Sequence, residues 1–162
     1  MLIRDAGEPF YSFQKVHEDF YNRLKTDKRL TGEFRIDTWA EGRFNPQHLP
    51  PTGVHGRYQR MNVTKVDEST GFYGYKIEVV VWILINQRDA STQYNLGELY
   101  LGEVTQIFTE TPNDWSLDNT VLNVEFLRSD YLHDWSDRGT SVLLCAANFA
   151  IYVDIERQHT QS

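Results

Sequence analysis

The segment Phe72–Asn86 constrains the fold of this chain more than any other. Its odd-numbered positions are all apolar, namely Tyr73, Tyr75, Ile77, Val79, Val81, Ile83 and Ile85. Because side chains alternate between the two faces of a β-strand, the pattern predicts one long strand with a face on the core. Lys76 and Glu78 occupy the other face at first, but from Val79 onward both faces are apolar. The second half of the strand is therefore expected to be covered on both sides.

Four further segments favour strands around this one. Arg57–Val66 precedes it, and the polar turn Asp67–Gly71 joins the two into an antiparallel hairpin. Phe34–Trp39 alternates over a short distance near the start of the chain, and Val121–Arg128 and Ser141–Glu156 close it. In the last strand the inner face is expected at Phe149, Ile151, Val153 and Ile155.

Two segments have helical periodicity. Apolar residues recur every three or four positions from Pro9 to Thr26, at Phe10, Phe13, Val16, Phe20 and Leu24. A second helix is expected from about Thr92 until Pro112 stops it, and its Gly97 and Gly102 each cost about 1 kcal/mol unless something packs closely there. The resulting prediction is an α+β fold with a mostly antiparallel sheet and two helices on one face, in the order α-β-β-β-α-β-β.

The length of 162 residues fits a single domain, 1–162, with a frayed polar tail at 157–162. Its least regular part is the segment Glu41–Gly56, which contains three prolines and three glycines. Long irregular loops in compact domains usually carry a function, and prolines reduce the entropy lost when a loop docks. Intersubunit contacts are therefore expected from Phe44, His48, Leu49 and Val54. In the alternative interpretation the loop folds back on its own sheet.

The charge balance and hydropathy exclude several classes of partner. The formal net charge is −7, which argues against a surface that grips nucleic acid through its phosphates. Arg57, Arg60 and Lys65 accompany Tyr58, a pattern found at single-strand binding sites, but three charges in an acidic chain favour an ordinary solvated face. No apolar run approaches the roughly 20 residues of a membrane span. The N-terminus lacks a secretory pattern, so folding in a cytoplasm is expected.

No segment carries a specific catalytic or metal-binding motif. Asp130–Arg138 gathers acids around His133, but the spacing matches no ligand pattern, so 129–139 is interpreted as a solvated acidic loop. His48 and His55 could share a metal only if the irregular loop brought them together. The lone Cys145 lies in an apolar run and is expected to be a buried, inert thiol. We therefore predict no catalytic residue, no cofactor, no metal and no enzymatic activity.

The aromatic content points to protein contacts instead. Nine Phe, nine Tyr and four Trp are more than a two-layer core of this length easily hides. Tyr and Trp are favoured at protein interfaces, so an oligomer or partner surface is expected.

The layout of the chain resembles the tail-terminator and related minor-tail or neck proteins of tailed bacteriophages. Three segments carry the resemblance. An opening helix contains Phe20–Lys25, a hairpin pairs Tyr58–Val63 with Ile77–Ile85, and a helix over Leu96–Phe108 leads into two closing strands. The likeness covers about residues 9 to 156 and lies in the order of elements, since the family has no invariant motif. The long loop 41–56 and the segment 129–139 depart from it.

The resemblance implies a homo-oligomeric ring, usually of six subunits, that caps the tail tube and joins it to the head-side connector or neck protein. Such a ring needs a head-to-tail interface whose rotation closes, but no catalysis. DNA would pass an acidic lumen without specific binding, and the protein would belong to the virion after assembly in the host cytoplasm. Two alternatives remain: another neck, head–tail stopper or baseplate component, or a small ligand-binding or enzymatic domain with its site between helix and sheet.

Overall fold

The computed structural model of the chain describes residues 13–69, 72–86, 90–137 and 140–156. In chain order the elements are α1 (Phe13–Thr26), α2 (Lys28–Thr31), β1 (Thr38–Glu41), β2 (Gly53–Ser69), β3 (Phe72–Asn86), α3 (Ala90–Ile107), α4 (Pro112–Trp115), β4 (Asn123–Asp137) and β5 (Thr140–Glu156). The predicted order of two long helices and five strands is present, with the short helices α2 and α4 in addition.

The five strands form one sheet in the order β1-β2-β3-β5-β4. Only β1 runs parallel to its neighbour, and the β2–β3, β3–β5 and β4–β5 pairs are antiparallel. The strand with the strongest apolar pattern, β3, is therefore the central strand, as predicted. The structure confirms the α+β class, with a mostly antiparallel sheet.

Both long helices pack on the same face of this sheet, which we call the inner face. The odd-numbered residues from Ile77 to Ile85 in β3 and from Leu143 to Val153 in β5 point to it. They form one buried cluster with Val16, Phe20 and Leu24 of α1 and Tyr100, Leu101 and Val104 of α3. Phe20 lies at the centre, stacked on Phe108 at a ring distance of 4.0 Å and edge-on to Phe149 at 5.4 Å. Phe108 directly follows α3, so the ring of Phe20 links α1 to the end of α3 and to β5.

On the opposite, outer face, the cover that the described residues provide lies at one end. Phe44 and Leu49, from the connection between β1 and β2, pack there on Leu84, Val142 and Leu144. This contact explains why the outer face of β3 is also apolar from Val80 onward. The expected coverage on both sides is confirmed, and the covering element is the proline-rich connection.

One sequence prediction is wrong. Residues 129–137 of the predicted loop 129–139 form a strand, because β4 continues to Asp137 and pairs with β5 as far as Asp137↔Thr140. This stretch is an edge strand that pairs through its backbone with the buried residues Val142–Ala147 of β5, and of its described side chains only Tyr131 packs against the core. The sequence therefore has no apolar alternation to detect there.

Several element boundaries also differ. The first strand is Thr38–Glu41 and β2 begins at Gly53, so the irregular connection spans 42–52 rather than 41–56. Pro112 starts the short helix α4, where a proline at the first position is favoured. The predicted helix start at Pro9 and the tail 157–162 lie outside the described residues.

Candidate assembly surfaces

The four residues predicted to make intersubunit contacts occupy different environments. Phe44 and Val54 are buried within their own chain, and the Arg57 guanidinium lies 4.5 Å above the Phe44 ring. Leu49 is half-buried and His48 is exposed. The intersubunit role stays a prediction, and within the single chain only His48 and Leu49 present surface for it.

His55 anchors the end of the proline-rich connection. One ring nitrogen, Nδ1, lies 2.8 Å from the hydroxyl of Thr38, and the other, Nε2, lies 2.8 Å from the carbonyl oxygen of Pro51. A metal shared with His48 would have to displace one of these bonds. The described residues include no group of three or more His, Cys, Asp or Glu side chains placed to hold a metal ion.

The other chemically notable residues are dispersed. His133 and Asp134 lie on the β4 backbone, and their side chains are outside the described part of the structure. Cys145 is fully buried, and burial raises the pKa of its thiol to about 12, which keeps it protonated and unreactive.

The basic residues of β2 do not form one surface. Arg57 lies on the outer face over Phe44, whereas Tyr58 is buried on the inner face. Arg60 binds the carboxylate of Glu41 at 3.0 Å. Strand alternation therefore separates residues that are neighbours in sequence, and no stacking platform for nucleic acid results.

The structure contains a buried polar pair that the sequence did not predict. The Nδ1 atom of His17 and the hydroxyl of Tyr58 share a hydrogen bond of 2.6 Å inside the core. Burial, reinforced by the nearby charge of Arg60, lowers the pKa of His17 to about 4, so the ring is neutral near pH 7. No local sequence signal identifies this pair, because its members are 41 residues apart.

A cleft of about 390 Å³ lies where α3 and α4 meet the ends of α1 and α2, and its lining is mostly charged. The nearly buried carboxylate of Glu103 binds Arg29 at 2.9 Å, and burial raises its pKa. Arg23 spans the neighbouring wall to Asp114 at 3.0 Å and Asp118 at 2.8 Å. Two of these ion pairs, Arg29–Glu103 and Arg23–Asp114, link helices across the cleft.

Among the described residues, most of both sheet edges lacks a neighbouring strand. Strand β1 covers β2 only from His55 to Tyr58, and in the described part of the chain the remainder of β2 pairs with β3 alone. Strand β4 forms the other edge, and its described partner is β5. Open edges carry unpaired backbone groups that can accept a strand from another chain.

Exposed apolar side chains concentrate at these edges. Met61 (45% exposed), Val63 (46%) and Val66 (52%) lie on β2, and Leu127 (40%) lies on β4, with Leu122 (59%) just before it. Tyr94 and Leu99 on α3 are the other large apolar side chains found exposed among the described residues. This concentration has no signal in the sequence, because edge position depends on strand order, which local pattern does not determine.

Comparison with known proteins identifies the fold. No protein-family model and no curated protein matches the chain in sequence. Among solved structures it is similar to a chain in the virion of a native gene transfer agent (GTA) particle. The TM-score is 0.58 at 12% sequence identity, and the match covers 86% of this chain and 94% of that one. The two chains share a fold over nearly their whole lengths. None of the described helices is long and apolar enough to cross a membrane.

Proposed function

We propose that this protein is a structural virion component, and specifically a tail-terminator-like ring subunit that caps the tail tube of a phage-like particle. The likeness to a chain of a gene transfer agent virion carries the proposal, because it extends over 86% of this chain and 94% of the other. The element order supports the finer assignment, since it is the order through which the sequence resembles tail terminators.

The distribution of surfaces fits an assembly role. A ring of identical subunits needs two different patches on each subunit, which meet head to tail and close by rotation. The two open sheet edges are such a pair, because they differ in sequence and lie on opposite sides of the molecule. A net charge of −7 would keep DNA from adhering to the ring as it passes through the lumen.

The proposal requires no catalysis, cofactor or metal. The partners are further copies of the chain, the last ring of the tail tube, and a connector or neck protein on the head side. The ring would stop tube growth because its two faces differ in affinity. One face matches the last ring of the tail tube, and the opposite face does not match a further tube ring, so polymerisation ends there.

The test is the mass of the purified protein in solution, with and without tail tubes. A hexamer of this 19.0 kDa chain would weigh about 114 kDa and form rings visible by electron microscopy. Added tubes should acquire one ring at one end and stop growing. A protein that stays monomeric at all concentrations and never binds tube ends would overturn the proposal. Rings that bind the connector but not tubes would assign a neck or stopper role instead.

A separate experiment tests the proposed absence of enzymatic activity. The double substitution His133→Ala and Asp134→Ala should leave ring formation and tube capping unchanged. A metal bound stoichiometrically by the natural protein and lost in this variant would favour the ligand-binding or enzymatic alternative.

A further inference from the structure

We infer that copies of this chain join edge to edge, with the open part of β2 in one copy adding as an antiparallel strand to β4 of the next. The inference rests on the proposed ring and names its interface. It follows from three features of the sheet: strand direction, the level of the exposed apolar residues, and charge.

Strand direction permits the addition. The antiparallel pairs place β2 and β5 in one direction and β3 and β4 in the other. A second copy rotated about an axis roughly parallel to the strands therefore presents a β2 that runs opposite to β4. The new pair continues the antiparallel alternation of strand directions. Its hydrogen bonds satisfy backbone N–H and C=O groups that have no partner strand at the described sheet edges.

The register then shows which residues of the two edges lie at the same height. One row across the sheet runs through Arg60, Val79, Phe149 and Phe126, and a neighbouring row runs through Val63, Ile77, Ile151 and Val124. The open part of β2 and the beginning of β4 thus occupy the same level. A closed ring requires this match, because a contact between different levels would produce a rise and an open helix.

The exposed apolar side chains lie at these same levels. Met61 follows Arg60 at an irregularity of β2, and Leu127 follows Phe126 at an irregularity of β4. Val63 lies at the level of Val124, and Leu122 lies two residues from that position. Edge pairing would bury apolar surface that the single chain leaves 40–59% exposed at these four side chains.

Charge disfavours a contact between two β4 edges. The open part of β2, residues 59–69, carries two basic residues, Arg60 and Lys65, and two acidic residues, Asp67 and Glu68. Strand β4 carries four acidic residues against one basic residue, Arg128. Pairing two β4 edges would place carboxylates opposite carboxylates, whereas the open part of β2 adds no net charge to the contact. The favoured occupant of each edge is therefore the opposite edge of another copy.

Cysteine crosslinking tests the contact, because the single natural thiol, Cys145, is buried. The variant carrying both Met61→Cys and Leu127→Cys, treated with a short bis-maleimide, should give a covalent ladder up to the ring number on a denaturing gel. The control pair is Met61→Cys with Leu99→Cys, since Leu99 is 50% exposed on α3, away from both edges. This control should give no ladder.

A second variant measures the energetic contribution of the edge. Val63→Asp should shift ring dissociation to a protein concentration at least about tenfold higher, because pairing would bury its charge. Leu99→Asp should leave that concentration unchanged.

The outcomes separate the inference from the proposed function. Rings of normal mass without a ladder in the Met61→Cys/Leu127→Cys variant would overturn the edge contact and leave the ring role standing. Covalent dimers from Met61→Cys alone would indicate a two-fold pairing of β2 edges and would also overturn it. A chain that forms no rings at all would overturn both.

Discussion

At the scale of single residues, the two glycines of α3 have different roles that the sequence left undecided. A Cβ atom on Gly97 would lie 2.9 Å from Sγ of Cys145 and 3.3 Å from side-chain atoms of Leu143 and Tyr131. A Cβ atom on Gly102 would meet nothing within 4 Å. Gly97 therefore allows α3 to approach β5 closely, whereas Gly102 only weakens the helix.

Alanine substitutions should distinguish the two positions. Gly102→Ala is expected to raise the free energy of unfolding by about 0.5–1 kcal/mol through helix propensity alone. Gly97→Ala should lower it by about 1 kcal/mol net, since crowding against a buried sulfur exceeds the same propensity gain. Denaturant titration measures both values. Equal stabilisation by the two substitutions would show that α3 packs less closely on β5 than the structure indicates.

The neutral His17 predicts a specific pH dependence. Its folded-state pKa of about 4 lies below the ordinary value of 6.5, so between these values the unfolded chain binds a proton that the folded chain does not. Stability should therefore fall as the pH drops through this window, by at most about 3 kcal/mol from this residue. His17→Gln retains a hydrogen-bonding group for Tyr58 and should lose this part of the slope. Identical pH profiles for both proteins would contradict the assignment.

At the scale of elements, the connection 42–52 is a cover for the outer face as well as a candidate contact. Phe44→Ala should lower the free energy of unfolding by about 3 kcal/mol, because it removes the ring from the cluster with Leu84 and Leu144. His48→Ala is the matched control and should change stability by less than about 0.5 kcal/mol, since its side chain is exposed. Thermal unfolding reports both effects.

Assembly assays on the same pair separate the two roles of the connection. If His48 makes the predicted intersubunit contact, His48→Ala should weaken rings without changing monomer stability. Normal rings from both His48→Ala and a Leu49→Ala variant would limit the connection to its covering role.

At the scale of the whole molecule, one core beneath α1 and α3 joins every long element. Val81 lies fully buried at the centre of β3, within that core. Val81→Asp should abolish folding, because a buried, unpaired charge costs several kcal/mol, a large fraction of the stability of a domain this size. Leu99→Asp, on the exposed face of α3, is the control and should remain folded. Circular dichroism distinguishes these outcomes, and a folded Val81→Asp variant would show that the core is misplaced.

Local periodicity by itself determined the α+β class, the two long helices and the central position of β3. These features depend on apolar residues that recur within one element, such as Val16, Phe20 and Leu24, and such patterns arise wherever a single face is buried. The two apolar faces of β3 also predicted that something covers its outer side.

Only the tertiary structure decided what depends on residues distant in sequence. It placed Phe44 over Leu84, joined His17 to Tyr58, and extended β4 through a segment with no apolar alternation. It also left Met61 and Leu127 on opposite open edges at neighbouring levels of the sheet. Strand order and register arise from the packing of the complete chain, so the edges at which copies are proposed to meet have no local signature in the sequence.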